Sequence, residues 1–293
     1  MNMDIAVFPN RDKESVYPFF RKLREIFEER HISYYLPDYV RPDFEKRGIH
    51  LDLDHYASVP WIGDHVRYVL SCGGDGSFLG VARLLSAYPV LLAGIHLGDL
   101  GFLNSISPDE VDMRLSQIEK EDYDIEHRIF LSSYILDRDG KKTVLPDVLN
   151  DIVVGHGEIG KMVRLHLWIN GRYTQTYPAD GLVISTPTGS TSYSLSCGGP
   201  ILHCGAKNII VVPICPHMMR NIPMVLSASD EVKITLPSRE EGVEMSLDGS
   251  STWALSNESS LCIHGLEKKI RFIRFRDQDF FSTLCSKFNK RNS

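Results

Sequence analysis

The hydrophobic period of this chain changes near Tyr123, and the change limits it to an architecture in two parts. Before that point strand-like and helix-like runs alternate. Residues 4–8 read as a short apolar strand. Val16, Phe19, Phe20, Leu23, Ile26 and Phe27 then recur at helical spacing and predict an amphipathic helix over residues 13–29. A second strand is expected at 32–36, followed by a less regular stretch with Pro37, Pro42 and Pro60 as breakers. Residues 66–72 form a buried strand that runs straight into Gly73-Gly74-Asp75-Gly76. Ser77 is the expected cap of the next helix, whose apolar residues include Phe78, Leu79, Val81, Ala82, Leu84 and Leu85. A strand at 90–95 and a helix at 108–121, with Pro108 in its first turn, complete the first part. Strands separated by helices imply a largely parallel, Rossmann-like sheet, so the first part is α/β.

After Tyr123 the pattern is that of strands. Residues 124–136 alternate polar and apolar as one strand with a wet face, and Arg138-Asp139-Gly140 reads as a turn. Asn170-Gly171 is a hairpin signal after the alternating run 162–169. Further strands are expected at 182–186, 209–214, 231–236, 243–247, 261–263 and 270–275. Such a series of short strands and turns implies an all-β, sandwich-like domain. Phe280, Phe281, Leu284 and Phe288 lie at helical spacing near the end of the chain, and this helix is expected to return to the first domain. The expected division is 1–125 for the α/β domain, 126–275 for the β-rich domain and 276–293 for the C-terminal helix.

Composition narrows the function classes. A net charge of −6 opposes gathering of a nucleic-acid backbone. The Lys/Arg cluster at 268–274, interleaved with Ile and Phe, reads as the polar face of a strand. The six cysteines show no Cys-x-x-Cys spacing and no nearby histidine at zinc-finger intervals, so no residue is assigned to a metal. Scattered cysteines of this kind fit reduced thiols in a cytoplasmic protein. The N-terminus opens on a strand-like run rather than a leader, and the longest apolar stretches, 90–95 and 209–215, are too short to span a bilayer. Neither nucleic acid nor membrane is expected as a partner.

Three segments carry the chemistry. Gly73-Gly74-Asp75-Gly76 lies between a buried strand and a helix, where backbone N–H groups and the helix dipole attract anions. A carboxylate in an anion cradle repels phosphate unless a metal bridges them or it takes a proton from an attacking hydroxyl, and both readings point to phosphoryl transfer. The plain alternative is an ordinary Asp-Gly turn. The second segment, residues 185–196, carries eight Ser or Thr in twelve positions, more than helix capping needs. It reads as a ligand site whose geometry is fixed by Pro187, Gly189 and Gly198-Gly199, or as a Ser/Thr-rich loop. In the third, Asn150-Asp151 interrupts an apolar run. The pair offers an amide and a carboxylate able to grip a ribose diol, or it marks a turn or bulge.

Together these segments resemble the NAD kinases, in which a Gly-Gly-Asp-Gly-Thr loop, an Asn-Glu/Asp pair and an Asp-Gly-(apolar)-Ser-Thr-Pro-Thr-Gly-Ser-Thr-Ala-Tyr segment occur in that order. Residues 94–103, ending in Leu100-Gly101-Phe102-Leu103, resemble the family's second glycine-rich segment, and the likeness extends through Pro216-His217 to Asp248-Gly249. The resemblance implies an active site between the two domains and phosphorylation of the adenosine ribose 2′-hydroxyl of NAD. ATP or inorganic polyphosphate would be the donor, with Mg²⁺, in a homodimer or homotetramer. By motif, Asp75 would be the general base, with Gly73, Gly74 and Gly76 cradling phosphate. Asn150 and Asp151 would hold the adenine and ribose, and Asp180 the nicotinamide end. Thr191, Ser192, Tyr193, Ser194, Leu195 and Ser196 would line the nucleotide pocket, and Lys161 sits where the family often has a binding side chain.

The chain departs from the family pattern at several positions. Ser77 stands for Thr, Gly80 for a basic residue, His96 for Asn, Ser192 for Ala, Ile222 for Arg and Ser250 for Gln. These bear on donor choice and affinity more than on the reaction. A lipid-type kinase shares the Gly-Gly-Asp-Gly loop, and a non-catalytic NAD(H)-binding regulator could keep the fold. Acceptor choice separates the first from an NAD kinase, and product formation separates the second.

Overall fold

The chain leaves the first sheet and comes back to it. The computed structural model describes residues 3–98, 101–158, 160–217 and 222–290, with side chains described up to 287. Asp99 and Leu100 of the second glycine-rich segment, and the side chain of Phe288, lie outside the described residues. The chain divides into two units, residues 1–127 with 268–293, and residues 128–267.

The first unit opens with β1 (Asp4–Pro9), α1 (Val16–Glu29), β2 (Ser33–Pro37), α2 (Arg41–Lys46), β3 (Tyr56–Ala57) and α3 (Val59–His65). It continues through β4 (Tyr68–Gly73), α4 (Asp75–Leu84), β5 (Leu91–His96), α5 (Val111–Glu119) and β6 (Asp124–Glu126). Helix α1 buries Val16, Tyr17, Phe20, Leu23 and Phe27 on one face. Each such side chain is worth about 1.5–3 kcal/mol once withdrawn from water. Pro42 and Pro60, expected as breakers, instead sit in the first turns of α2 and α3. An N–H is unneeded there and the fixed φ already suits a helix. Before α5, Ser107 and Glu110 form a capping box, with the Ser107 hydroxyl donating to Glu110 Oε2 at 2.8 Å.

The second unit contains β7 (Ile129–Leu136), β8 (Lys142–Val144), β9 (Asp151–His156), β10 (Val163–Ile169), β11 (Arg172–Ala179), β12 (Gly181–Ser185) and the one-turn α6 (Tyr193–Ser196). These are followed by β13 (Asn208–Ile214), β14 (Met224–Ser227), β15 (Glu231–Thr235), β16 (Val243–Leu247), β17 (Ser251–Leu255) and β18 (Ser260–Glu267). The last elements, β19 (Arg271–Arg274) and α7 (Phe280–Lys290), belong to the first unit again.

Among the described residues the strands form three sheets. The first has the order β3-β2-β1-β4-β5-β19-β6, parallel except for β6. The other two, β11-β10-β15-β18-β7-β8 and β14-β13-β12-β9-β16-β17, are antiparallel and belong to the second unit. Their inner faces share one core, to which Leu165, Leu167, Val232, Ile234, Leu261 and Ile263 come from one sheet. Ile152, Val154, Leu182, Ile184, Val211 and Met245 come from the other. This is the sandwich expected from alternation. β12 is buried along its whole length, and Val183 packs with Ile210 and Val212 on the outer face under Cys197 and Leu202. The segment after β12 therefore serves as a cover for its own sheet.

Two expectations are corrected. Residues 124–136 are not one strand, because β6 pairs with β19 in the first sheet and β7 with β18 in the second unit. Residues 270–275, expected among the β-rich strands, also join the first sheet, where Phe272 and Ile273 are both buried between exposed Arg271 and Arg274. A four-residue strand carries too little pattern to reveal a partner some 180 residues earlier in the chain. The C-terminal helix lies with the first unit, and Lys287 Nζ sits 4.7 Å from the centre of the Phe102 ring. Among the described residues no helix is long and apolar enough to cross a membrane.

Candidate active site

In the first unit β4 is buried from end to end, so the chain leaves the sheet at Gly73 and turns directly into α4. Gly74 is the N-cap and Asp75 the first helical residue. Ser77, expected as the cap, is instead in the first turn, where its hydroxyl accepts the Gly74 N–H at 3.4 Å and the Asn10 side-chain amide at 2.8 Å. The helix starts three residues before its apolar pattern does because Asp75, Gly76 and Ser77 supply a polar opening to the turn. Open backbone N–H groups and the dipole of this ten-residue helix give the loop its affinity for anions.

Asp75 is held from across the loop. Its Oδ2 accepts the Phe102 N–H at 2.8 Å, and its Oδ1 accepts the Leu103 N–H at 3.3 Å and the Asn104 side-chain amide at 2.8 Å. A carboxylate has about four acceptor positions, so these bonds orient it and leave one on Oδ2 for a further proton donor. Gly101 makes the approach possible, since a Cβ there would overlap the carboxylate. Gly74, Gly76 and Gly80 border open space, with no atom within 4 Å of where a Cβ would stand. The sequence alone does not reveal Asn104. Its partner lies 29 residues earlier in the chain, beyond the reach of any local pattern.

The site residues of the second unit gather where β9 and β12 begin and end side by side, with Asp151 paired to Ser185. The Asp248 carboxylate accepts three consecutive backbone N–H groups, from Leu149 at 3.0 Å, Asn150 at 2.8 Å and Asp151 at 3.2 Å. Asp248 itself adopts φ +47°, the left-handed conformation that an Asp-Gly turn permits. Asn150 is fixed further through its carbonyl, which accepts the Ser185 hydroxyl at 3.1 Å and the Thr186 N–H at 2.9 Å. Only a glycine fits at 189, because a Cβ there would overlap that carbonyl.

This scaffold leaves polar side-chain atoms buried without a protein partner, namely Asn150 Oδ1, Asp151 Oδ2, Thr188 Oγ1 and Ser194 Oγ. Unsatisfied buried groups are costly, and a ligand that supplied partners to these would offset that cost. Burial and the nearby Asp248 charge push the Asp151 carboxyl up to about 7, while a hydrogen bond with Ser192 pulls the other way. Tyr193 is exposed beside them and hydrogen-bonds Cys197.

The hydroxyl-rich segment is only partly what its density implied. Ser185, Thr186, Ser190 and Thr191 donate to backbone carbonyls of Asn150, Leu149, Pro187 and Thr188, so they stitch the loop rather than face outwards. Ser192, Tyr193, Ser194, Leu195 and Ser196 run along α6 and its cap. Asp180 precedes β12 and so lies at the strand's other end, about 17 Å from Asp151 at ordinary strand rise. Lys161 is exposed in the β9–β10 connection and ion-paired with Glu158 at 2.7 Å, apart from the Asn150–Asp151 cluster. Among the described residues no group of His, Cys, Asp and Glu is placed to hold a metal ion by itself.

Comparison with known proteins gives the family and the fold. The profile of the ATP-NAD kinase N-terminal domain matches residues 13–123, and that of the ATP-NAD kinase C-terminal domain matches residues 149–275. The NAD kinase of Geotalea daltonii is 36% identical over 248 residues, 85% of this chain and 86% of that protein. The NAD kinase of Pseudomonas fluorescens is 31% identical over 97% of this chain and 94% of its own length. Among solved structures, yeast NADH kinase complexed with NADH shares the fold with a TM-score of 0.81 at 22% identity, covering 93% of this chain and 83% of that one. An NAD kinase from Archaeoglobus fulgidus in complex with ATP gives 0.72 at 22% identity, covering 97% and 98%. These matches displace both the lipid-kinase and the regulator readings. The chain belongs to the NAD kinase family, enzymes that phosphorylate NAD.

Proposed function

We propose that this chain transfers the γ-phosphoryl group of ATP to the 2′-hydroxyl of the adenosine ribose of NAD, with Asp75 as the general base. The observation that carries this reading is the Asp75 carboxylate, oriented by three N–H donors at the start of α4 and left with an acceptor position on Oδ2. An oriented carboxylate beside an anion-binding helix end can accept the proton of a hydroxyl as it attacks phosphorus. The loop Gly73-Gly74-Asp75-Gly76 offers backbone N–H groups to the donor's phosphates. In the second unit Asn150 Oδ1 and Asp151 Oδ2 are the partners offered to the adenine and ribose of NAD, with the α6 segment around Ser192 to Ser196 as the wall. Asp180 is assigned to the nicotinamide end, and Lys161 to an outer contact that exchanges Glu158 for ligand.

Mg²⁺ fits as a companion of the nucleotide. It would be held chiefly by the substrate's phosphates and water, which leaves the one open acceptor position of Asp75 for the hydroxyl proton. When bound, it neutralises charge on the donor. A homodimer or homotetramer and a cytoplasmic location complete the reading. The test is product identification by phosphorus NMR after incubation of the purified protein with NAD and Mg-ATP, repeated with NADH and with polyphosphate. NADP formation from ATP supports the reading. NAD binding with no phosphorylated product under any of these conditions overturns it.

A further inference from the structure

We propose that Lys13, in the loop between β1 and α1, is the cation that receives the donor's terminal phosphates. The inference rests on the reading that the Gly73–Gly76 loop takes the phosphate donor. It deepens that reading by naming the residue that carries the charge.

The topology places Lys13. In the order β3-β2-β1-β4-β5, the chain moves one way from β1 to β2 and the other way from β4 to β5. β1 and β4 therefore flank the switch point of the sheet, and ligands of open α/β sheets bind in the crevice outside the carboxyl ends of the strands there. The loops that leave those two ends are Asn10–Ser15 and Gly74. They are stitched together, since the Asn10 N–H donates to the Cys72 carbonyl at 2.8 Å and its side-chain amide to Ser77 at 2.8 Å.

Lys13 is held over the same crevice. Its ammonium donates to the Leu97 carbonyl, and the Leu97 N–H donates in turn to the Gly73 carbonyl at 2.8 Å. A single residue, Leu97, thus bridges Lys13 and the first glycine of the loop. Gly98, at φ +123°, leaves room for the ammonium, since a Cβ there would stand 3.0 Å from Nζ.

Charge also favours Lys13 over its neighbours. Its hydrogen bond goes to a neutral carbonyl, which leaves two N–H donors and the full positive charge for an anion, and among the described residues it forms no ion pair. Arg11, two residues earlier, is paired with Asp43 at 3.2 Å and lies over the Tyr39 ring. Arg83 is in the last turn of α4, at the far end of the helix from the loop. Lys287 is engaged with the Phe102 ring. At Gly80 the helix offers open space and no charge. A charge-assisted bond from an ammonium to a phosphate oxygen supplies what the helix dipole alone lacks.

The test uses Lys13→Met and Lys13→Gln in the full chain, the second keeping a neutral N–H donor. KM for ATP and for NAD are measured separately, along with the affinity of inorganic triphosphate by calorimetry. Loss of the charge-assisted bond should raise KM for ATP and weaken triphosphate by roughly 10- to 100-fold in both variants. KM for NAD should stay unchanged, and Lys13→Arg should restore most of the ATP affinity. Asp75→Asn runs alongside as the control for the underlying reading. If it loses turnover while both Lys13 variants keep native triphosphate affinity, the Lys13 proposal is overturned and the loop reading stands. If triphosphate binds the native protein with no dependence on Lys13 and Asp75→Asn retains turnover, both fail.

Discussion

The glycine loop of the first unit and the Asn150–Asp151 cluster of the second handle their carboxylates in opposite ways. Asp75 is supplied with three N–H donors by the protein itself, and these fix its orientation. Asp151 is buried beside a second carboxylate with one oxygen unpartnered, and its affinity for a proton is raised accordingly. The first arrangement suits a group whose position must be set before the reaction. The second holds unmet hydrogen-bonding capacity that a bound ribose or adenine can satisfy. On the proposed reading, catalytic geometry and binding energy are kept on separate units of the chain.

The largest effect that would break this contrast lies at Gly101. A Cβ there displaces the Asp75 carboxylate from its donors, so Gly101→Ala should lower kcat by roughly 10²–10⁴-fold, the range for loss of a general base. NAD affinity, measured by calorimetry, should stay native. Gly189→Ala acts on the other side of the contrast. It displaces the Asn150 carbonyl and should weaken NAD binding by about 10–100-fold, the worth of one or two lost polar contacts.

A smaller effect tests the strain on Asp151. Its folded-state value, about 7, lies above the ordinary carboxylate value of 3.8. Between those values the folded state binds more protons than the unfolded state, so stability is greatest at the acid end and falls as pH rises through 7. The melting midpoint of the ligand-free protein should therefore drop between pH 6 and pH 8, and Asp151→Asn should flatten that slope. Because Ser192 pulls the Asp151 value down, Ser192→Ala should move the fall to higher pH. The smallest expected change is structural alone. Ser107→Ala removes the cap before α5 at about 1 kcal/mol, roughly 2–4 °C in melting midpoint, with kcat unchanged.

How much of this was legible beforehand follows from sequence distance. The strand–glycine–helix junction at Asp75 is local, and periodicity placed it. The sandwich was readable because Val163 to Ile169 and Val243 to Leu247 alternate against one core. The partners that give each carboxylate its character are remote. Asn104 reaches Asp75 across 29 residues, and Asp248 reaches Leu149 to Asp151 across nearly a hundred. No periodicity encodes such pairings. The density of hydroxyls after Ser185 overstated the ligand site, because a loop that covers both Val183 and Val212 must also satisfy its own buried carbonyls. Asp180 and Lys161 rest on motif alone, and motif order says nothing about which end of a strand a residue occupies.

The most direct test of the division between the two units is to measure NAD affinity and NADP formation on the same pair of variants, Asp75→Asn and Asp151→Asn. Asp75→Asn should lose most of its turnover and keep native NAD affinity, while Asp151→Asn should lose NAD affinity by about 10–100-fold. Near-native turnover in Asp75→Asn, or native NAD affinity in Asp151→Asn, would contradict the assignment of chemistry to the first unit and of recognition to the second.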